Sequence, residues 1–237
     1  MPKIIGIIPA RSGSQSVHNK NIRAFHGKPL IAWTIECALA SNLDRVIVST
    51  NDDGIKDIAL KYGAEVPFIR PDDLSDSFSG IEPVLRHTYE YLKEAEQYEA
   101  DILVMLLPTS PFRHVNDVNM AIQMYINNEV TSVVSVIKAE ANINPHWMLV
   151  ENGDDVELFN GKQLRNIKDR RQDLPDVYIR NDFVYVLNPN NLYASKPTLY
   201  GDKLTLYKIS EHRYDIDINS EKDLSIAEAI FDKLKFN

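Results

Sequence analysis

Ile4-Ile5-Gly6-Ile7-Ile8-Pro9-Ala10-Arg11-Ser12-Gly13-Ser14, closing on Lys20-Asn21, is an apolar run that empties into a polar loop carrying two cations. The run from Ile4 to Ile8 has no polar side chain, so it reads as a strand buried on both faces, as in a parallel sheet covered by helices. The loop beyond it sets small residues, open N–H groups, Arg11 and Lys20 at the strand's carboxyl end, where open α/β sheets bind ligands. Gly13 lets the backbone approach a polyphosphate, while Arg11 supplies a planar fork and Lys20 a compact charge. The loop matches neither G-x-x-x-x-G-K-[ST] nor G-x-G-x-x-G. On composition alone, a solvated loop with ordinary surface cations stands beside the phosphate-binding reading.

Outward from this strand, strand-like and helix-like segments alternate through the first 140 or so residues, the pattern of a mostly parallel sheet flanked by helices. Strands are expected at Lys3–Pro9, Arg45–Thr50, Glu65–Ile69, Ile102–Leu107 and Ser132–Ile137. Helices are expected at Pro29–Ala40, Asp52–Tyr62, Glu82–Lys93 and Val115–Asn127, with Gly63 as a C-cap and Pro29 and Pro83 in first turns. From Lys138 to Asp176 the alternation fails, because Asn144, Pro145, Asn152, Gly153, Asp154 and others interrupt every candidate element. The segment is either a long surface excursion or an arm, and packing against another subunit is the more economical account. Regularity returns at Phe183–Leu187 and Leu204–Ile209, then in a helix from Ser220 to Leu234 opened by the capping box Ser220-Glu221-Lys222-Asp223. One domain spanning 1–237 is expected, with 138–176 as the arm.

Charge narrows the partners. The 237 residues carry 26 Lys+Arg against 34 Asp+Glu, a net −8, and no basic run longer than Arg170-Arg171, which argues against a nucleic-acid binder. Cys37 is the one cysteine and lies in an apolar helical run, so it reads as a small buried hydrophobe in a reducing compartment. The chain begins directly with a strand, and no apolar run approaches 18 residues, so a cytoplasmic protein that does not engage membranes is expected.

Four further stretches carry chemistry. Asp215-Ile216-Asp217-Ile218 at strand period places two carboxylates on one face, an arrangement suited to Mg²⁺ held jointly with substrate phosphates; the alternative is an exposed strand face. Pro108-Thr109-Ser110-Pro111-Phe112-Arg113 follows the strand ending at Leu107 and offers hydroxyls and a cation to the same crevice, unless it is a turn that merely stops the strand. Ser49-Thr50-Asn51-Asp52 and Arg70-Pro71-Asp72-Asp73 repeat the arrangement after two other strands. The six histidines show no metal-ligand spacing, and none is assigned a catalytic role.

With these segments in place, the chain resembles the acylneuraminate cytidylyltransferases along nearly its whole length. The resemblance rests on Ile8-Pro9-Ala10-Arg11-Ser12-Gly13-Ser14 with Lys20-Asn21, Val48-Ser49-Thr50-Asn51, Arg70-Pro71-Asp72-Asp73-Leu74, Leu107-Pro108-Thr109-Ser110-Pro111, Arg170-Arg171-Gln172-Asp173-Leu174-Pro175, Arg180-Asn181 and Asp215-Ile216-Asp217. It implies an α/β fold with a Rossmann-like, doubly wound nucleotidyltransferase sheet and a dimerisation arm. The implied reaction is attack by the anomeric hydroxyl of a 2-keto-3-deoxy nine-carbon acid on the α-phosphorus of CTP, giving a CMP-sugar for cell-surface polysaccharide and releasing pyrophosphate. By this likeness Arg11, Ser14, Lys20, Asn21 and Arg70 bind the nucleotide, and Arg11, Lys20 and Asp217 serve catalysis. Pro108, Thr109, Ser110, Arg171 and Asn181 meet the acid, with Arg171 reaching a partner's site in a homodimer, and Asp215 and Asp217 hold Mg²⁺.

Three positions depart from the family pattern. Gln15 stands where a Lys is usual, Leu107 where a Gln precedes P-T-S-P, and Asp182 where a Gly follows Asn181. The expected acid is N-acylneuraminic acid, with pseudaminic or legionaminic acid as the alternative; Leu74-Ser75-Asp76-Ser77-Phe78-Ser79-Gly80 with Pro83-Val84 looks closer to the pseudaminic branch. Two further readings are a 3-deoxy-manno-octulosonate cytidylyltransferase, which Arg170–Pro175 argues against, and a catalytically silent nucleotide-binding module.

Overall fold

The computed structural model describes residues 1–13, 17–76, 80–209 and 216–234. In chain order the strands are β1 (Ile4–Pro9), β2 (Ala24–Phe25), β3 (Lys28–Pro29), β4 (Arg45–Ser49), β5 (Ile102–Met105), β6 (Ser132–Lys138), β7 (Leu149–Asn152), β8 (Asp155–Leu158), β9 (Tyr178–Leu187) and β10 (Leu204–Ile209). The helices are α1 (Leu30–Leu39), α2 (Asp53–Lys61), α3 (Ile81–Ala95), α4 (Val115–Asn127) and α5 (Glu221–Leu234). Six strands form the central sheet in the order β10-β6-β9-β5-β1-β4, and β2–β3 and β7–β8 form separate two-stranded ribbons.

β1 pairs parallel with both β4 and β5, and β6 pairs parallel with β10, while β9 runs antiparallel between β5 and β6. Every central strand except β9 therefore ends at the same edge. β1 is the switch point: the chain leaves it for β4 on one side and returns to β5 on the other, which opens a crevice outside its carboxyl end.

The apolar run of β1 is explained by two cores, one on each face. Ile4, Ile8, Val46, Val48, Val104 and Val186 pack with Ile31 and Ile35 of α1, Ala59 of α2 and Val118 of α4. Their sequence neighbours Ile5, Ile7, Ile47, Leu103 and Met105 pack on the other face with Leu85, Tyr89 and Leu92 of α3. Strand alternation sends successive side chains to opposite faces, and helices cover both. Cys37 is buried in the first core, where burial pushes its thiol up. A third cluster joins Phe25, Phe112, Phe183 and Ile218 to Leu224, Ala227 and Phe231 of α5.

Three expectations change. Glu65–Ile69 is not a strand: Glu65 alone bridges Ile47, exchanging backbone bonds with Val46 and Val48, and Pro67 has no N–H to extend the ladder. Pro29 pairs in β3 and immediately precedes α1 instead of sitting in its first turn. The interrupted segment 138–176 contains the hairpin β7–β8, whose two-residue loop is Gly153-Asp154 with Gly153 at φ +65°. Gly63, at φ +92° just after α2, takes the expected C-cap position, and Ser220 accepts from Asp223 N while Asp223 accepts from Asn219 N. Among the described residues no helix is long and apolar enough to cross a membrane.

Candidate active site

The polar loop after β1 is fixed on three sides. Ala10 N–H donates to Ser49 O (2.9 Å), and Ser12 N–H donates to Asn51 Oδ1 (3.0 Å), tying the loop to the end of β4. Asn21, buried, donates through Nδ2 to Arg11 O (2.9 Å) and folds the loop's far end back on its start. Gly13 sits at φ +71° with open space where a Cβ would go, so glycine is needed there for the backbone turn and not for packing.

Across the crevice, Lys20 Nζ donates to Ile218 O (2.9 Å) and to Asn219 Oδ1 (3.2 Å). Ile218 N–H donates to Thr109 O (3.0 Å), and the Ile218 side chain is fully buried in the third cluster, an anchor of about 2 kcal/mol. These bonds draw the segment 216–219 against both the β1 loop and the β5 loop. The expected alternation holds at Asp217 and Ile218, one lining the cleft and the other the core, although the described residues here form no strand.

The result is a cleft of about 390 Å³ lined by Arg11, Lys20, Leu107, Pro108, Thr109, Asp182, Asp217 and others. A second compartment of about 290 Å³ shares Pro9, Arg11 and Leu107 with it and is walled by Arg70, Leu74, Ile81 and Val84. Together they have the size and mixed lining of a small-ligand site.

Electrostatics explain why these groups want a ligand. Burial lowers the Lys20 pKa, Asp217 opposes that shift, and Arg11 adds to it. Arg70 is only 3% exposed and is lowered to about 10, by burial first and by Arg11 second. Its Nε donates to Ser75 Oγ (3.0 Å), but Nη2 is buried with no partner among the described residues. Asp217 Oδ2 accepts from Asn219 Nδ2 (2.5 Å), while Oδ1 is buried with no partner among the described residues. An unmet donor and an unmet carboxylate oxygen each cost about 1–3 kcal/mol, which an acceptor and a cation would recover. Among the described residues no three His, Cys, Asp or Glu side chains converge as a metal site.

Not every expected residue reaches the cleft. Arg113 does not: it is 4% exposed, donates to Leu107 O (2.8 Å), Thr34 Oγ1 (3.0 Å) and Phe183 O, and holds the β5 loop to α1 and β9. Ser110 is fully buried and lines neither compartment. Asn181 is buried, accepting from Phe183 N–H (3.5 Å) with Nδ2 unpartnered among the described residues, and only its neighbour Asp182 lines the cleft. Arg171 is exposed, away from both compartments. Ser14, Gln15 and Asp215, with 77–79 of the branch-like segment, lie outside the described residues.

Asn219 was not anticipated, although it bonds both Lys20 and Asp217; its one sequence signal is its place before the Ser220 cap. Asp182 has a left-handed backbone, φ +57°, at a register shift between β6 and β9, at a strain of about 1 kcal/mol. Its carboxylate accepts from the Tyr185 hydroxyl, which burial and then Asp182 push well above the ordinary tyrosine range, so it remains a donor.

Residues 5–231 match the family model described as Cytidylyltransferase. The chain belongs to that family. A CMP-N,N'-diacetyllegionaminic acid synthase of Legionella pneumophila subsp. pneumophila is 33% identical over 248 residues, covering 97% of each chain. A pseudaminic acid cytidylyltransferase of Campylobacter jejuni is 30% identical over 230 residues, covering 97% of this chain and 96% of the relative. In fold, this cytidylyltransferase is similar to a solved CMP:2-keto-3-deoxy-manno-octonic acid synthetase complexed with CTP, with a TM-score of 0.71 at 17% identity, covering 98% of this chain and 99% of that one. The cytidylyltransferase is thus a nucleotidyltransferase enzyme, and its cleft lies where β1, β4 and β5 end.

Proposed function

We propose that this cytidylyltransferase transfers the cytidylyl group of CTP to the anomeric hydroxyl of a nine-carbon 2-keto-3-deoxy acid, releasing pyrophosphate. The observation that supports it best is the convergence of Arg11, Lys20 and Asp217, far apart in sequence, on one cleft. Arg11, Lys20 and Asn21, with Ser14, take the triphosphate: two cations and a fixed loop meet an anion that grows in charge as the α-phosphoryl bond to pyrophosphate breaks. Arg70 takes the nucleoside in the second compartment, where aliphatic walls suit a flat pyrimidine and the unused Nη2 suits a ring carbonyl. Pro108 and Thr109 line the acid's side of the cleft.

The residues present fit a magnesium ion, because Asp217 keeps one buried carboxylate oxygen without a partner among the described residues, in a cleft shared with phosphate-binding cations. Asp217 and Asp215 would hold Mg²⁺, which when bound polarises the phosphoryl oxygens. Lys20 meanwhile anchors the Asp217 segment through Ile218 O and Asn219, so one side chain couples the nucleotide loop to the carboxylate.

The segment 138–176 is proposed as a dimerisation arm of this single nucleotidyltransferase domain. Leu149, Val156, Phe159 and Ile167 are 42% to 64% exposed along it, apolar surface that a second copy would cover. In such a homodimer Arg171 would complete the partner's acid site. The enzyme is placed in the cytoplasm, where CTP is available.

N-acylneuraminic acid matches the sequence motifs, and a pseudaminic or legionaminic acid fits about as well, since Leu107 and Asp182, both departures from the neuraminic pattern, line the cleft. Incubating the protein with CTP, Mg²⁺ and each acid tests the reading by pyrophosphate release. Release with at least one acid supports it, and none with any acid of the panel refutes it.

A further inference from the structure

Asp182 sits in β9 with a backbone conformation that its side chain does not favour. A left-handed φ of +57° inside a strand is a place for glycine, yet a carboxylate is kept there. The register of β6 against β9 slips between Val134 and Val136, and Val184 N–H bonds the Ser135 hydroxyl (2.9 Å) in place of a backbone carbonyl. Such a bulge re-aims a side chain. Here it sets Asp182 into the same cleft as Arg11, Lys20 and Asp217.

The carboxylate is also held. One oxygen accepts from the Tyr185 hydroxyl, and Tyr185 is itself 1% exposed in the core. A fixed anion that faces a cavity, its other oxygen making no hydrogen bond among the described residues, is an acceptor waiting for a donor. On the other wall Leu107, partly buried, offers only methyl groups. β9 therefore adds a charged reading element to the acid's side, beside the uncharged Leu107, Pro108 and Thr109 that follow β5.

We propose that Asp182 selects the acid acceptor by accepting a hydrogen bond from one of its amide N–H or hydroxyl groups, with a deoxy or methyl edge of the acid against Leu107. The negative charge of Asp182 simultaneously turns the acid's own carboxylate away, toward Arg11 and Lys20. This inference rests on the reading of the enzyme as a cytidylyltransferase for nonulosonic acids and names how that site chooses among them.

The test compares wild type with Asp182→Gly, Asp182→Asn and Tyr185→Phe, using CTP, Mg²⁺ and whichever acid gives the fastest pyrophosphate release. Glycine suits φ +57°, and relieving about 1 kcal/mol of backbone strain offsets part of the cost of leaving the buried Tyr185 hydroxyl without Asp182, so the Gly variant keeps its fold with a melting temperature lower by no more than a few degrees. Its KM for the acid should rise about 10- to 100-fold, as expected for losing a hydrogen bond to a charged group, with KM for CTP within about twofold. Asp182→Asn keeps an acceptor oxygen and should fall between, as should Tyr185→Phe, which removes only the orienting donor. The Gly variant should also discriminate less among the acids. An unchanged acid KM, or a change in CTP KM or magnesium requirement instead, overturns the inference while the parent reading stands. A wild-type enzyme inactive with every acid overturns both.

Discussion

Replacing Lys20 by Met keeps the aliphatic stem and removes the charge, and structure and activity should respond very differently. In the folded chain Lys20 donates to Ile218 O (2.9 Å) and Asn219 Oδ1 (3.2 Å), worth about 1 kcal/mol net for partly exposed bonds. Against this, burial makes the folded protein a poorer host for the ammonium than water, as the lowered pKa records. The two effects oppose, so stability should change by no more than about 1 kcal/mol. The reaction is less forgiving. A preorganised cation facing charge that develops on departing pyrophosphate contributes about 2.7–4 kcal/mol, and kcat/KM should fall about 10²- to 10³-fold. Lys20→Arg should recover part of this, since its fork suits phosphate but fits the Ile218 carbonyl less well. Pyrophosphate release and thermal melting are measured on the same preparations. A kcat/KM within about threefold of wild type, or a melting loss large enough to explain the activity loss, would refute the assignment of Lys20 to the triphosphate.

Four more outcomes are expected. The Lys20 pKa is lowered on folding, so the unfolded chain holds that proton more tightly and stability from this group rises as pH climbs through the folded value. CTP affinity should fall over the same window, which lies below the ordinary lysine range, and titrating melting and CTP binding together checks the opposite signs. Asp217→Asn should lower kcat/KM by about a hundredfold or more and flatten its response to added Mg²⁺; a retained metal response would count against Asp217 as a ligand. Arg113→Met strands three acceptors, Leu107 O, Thr34 Oγ1 and Phe183 O, and should destabilise by about 2–4 kcal/mol, read as a Tm lower by about 5–15 °C; a shift under about 2 °C would mean the site collapses without loss. Leu149→Ser with Phe159→Ser should yield a monomer by sedimentation, while an unchanged mass would remove the arm from the interface.

What the sequence displayed well were features written in one run of residues. Ile4 to Ile8 had to be a strand buried on both faces, because no polar residue breaks it, and the two cores on either side of β1 bear this out. Glu65–Ile69 carried the same apolar character but also Pro67, and the missing N–H weighed more than composition. The hairpin β7–β8 was hidden for the opposite reason. Its strands are mostly exposed and lack the burial alternation that marks a strand, and the Asn152-Gly153-Asp154 interruption was the turn itself.

The site was legible to the extent that strand ends dictate it. Arg11 and Thr109 lie just beyond β1 and β5, so the topology alone carries them to one edge, and Asn21 is brought back to it by its bond to Arg11 O. Arg113 obeyed the same rule of position and still points inward, because three acceptors, two of them buried, claim its guanidinium, and nothing local in Pro111-Phe112-Arg113 records where those acceptors lie. Asp182 shows the converse. Its type and number were plain, but its presentation to the cleft depends on a register shift in β9 and on Tyr185 three residues later. Residue identity reveals which chemistry is available, strand order reveals which edge receives it, and long-range hydrogen bonding decides which of two similar side chains, Lys20 or Arg113, is left to meet a ligand.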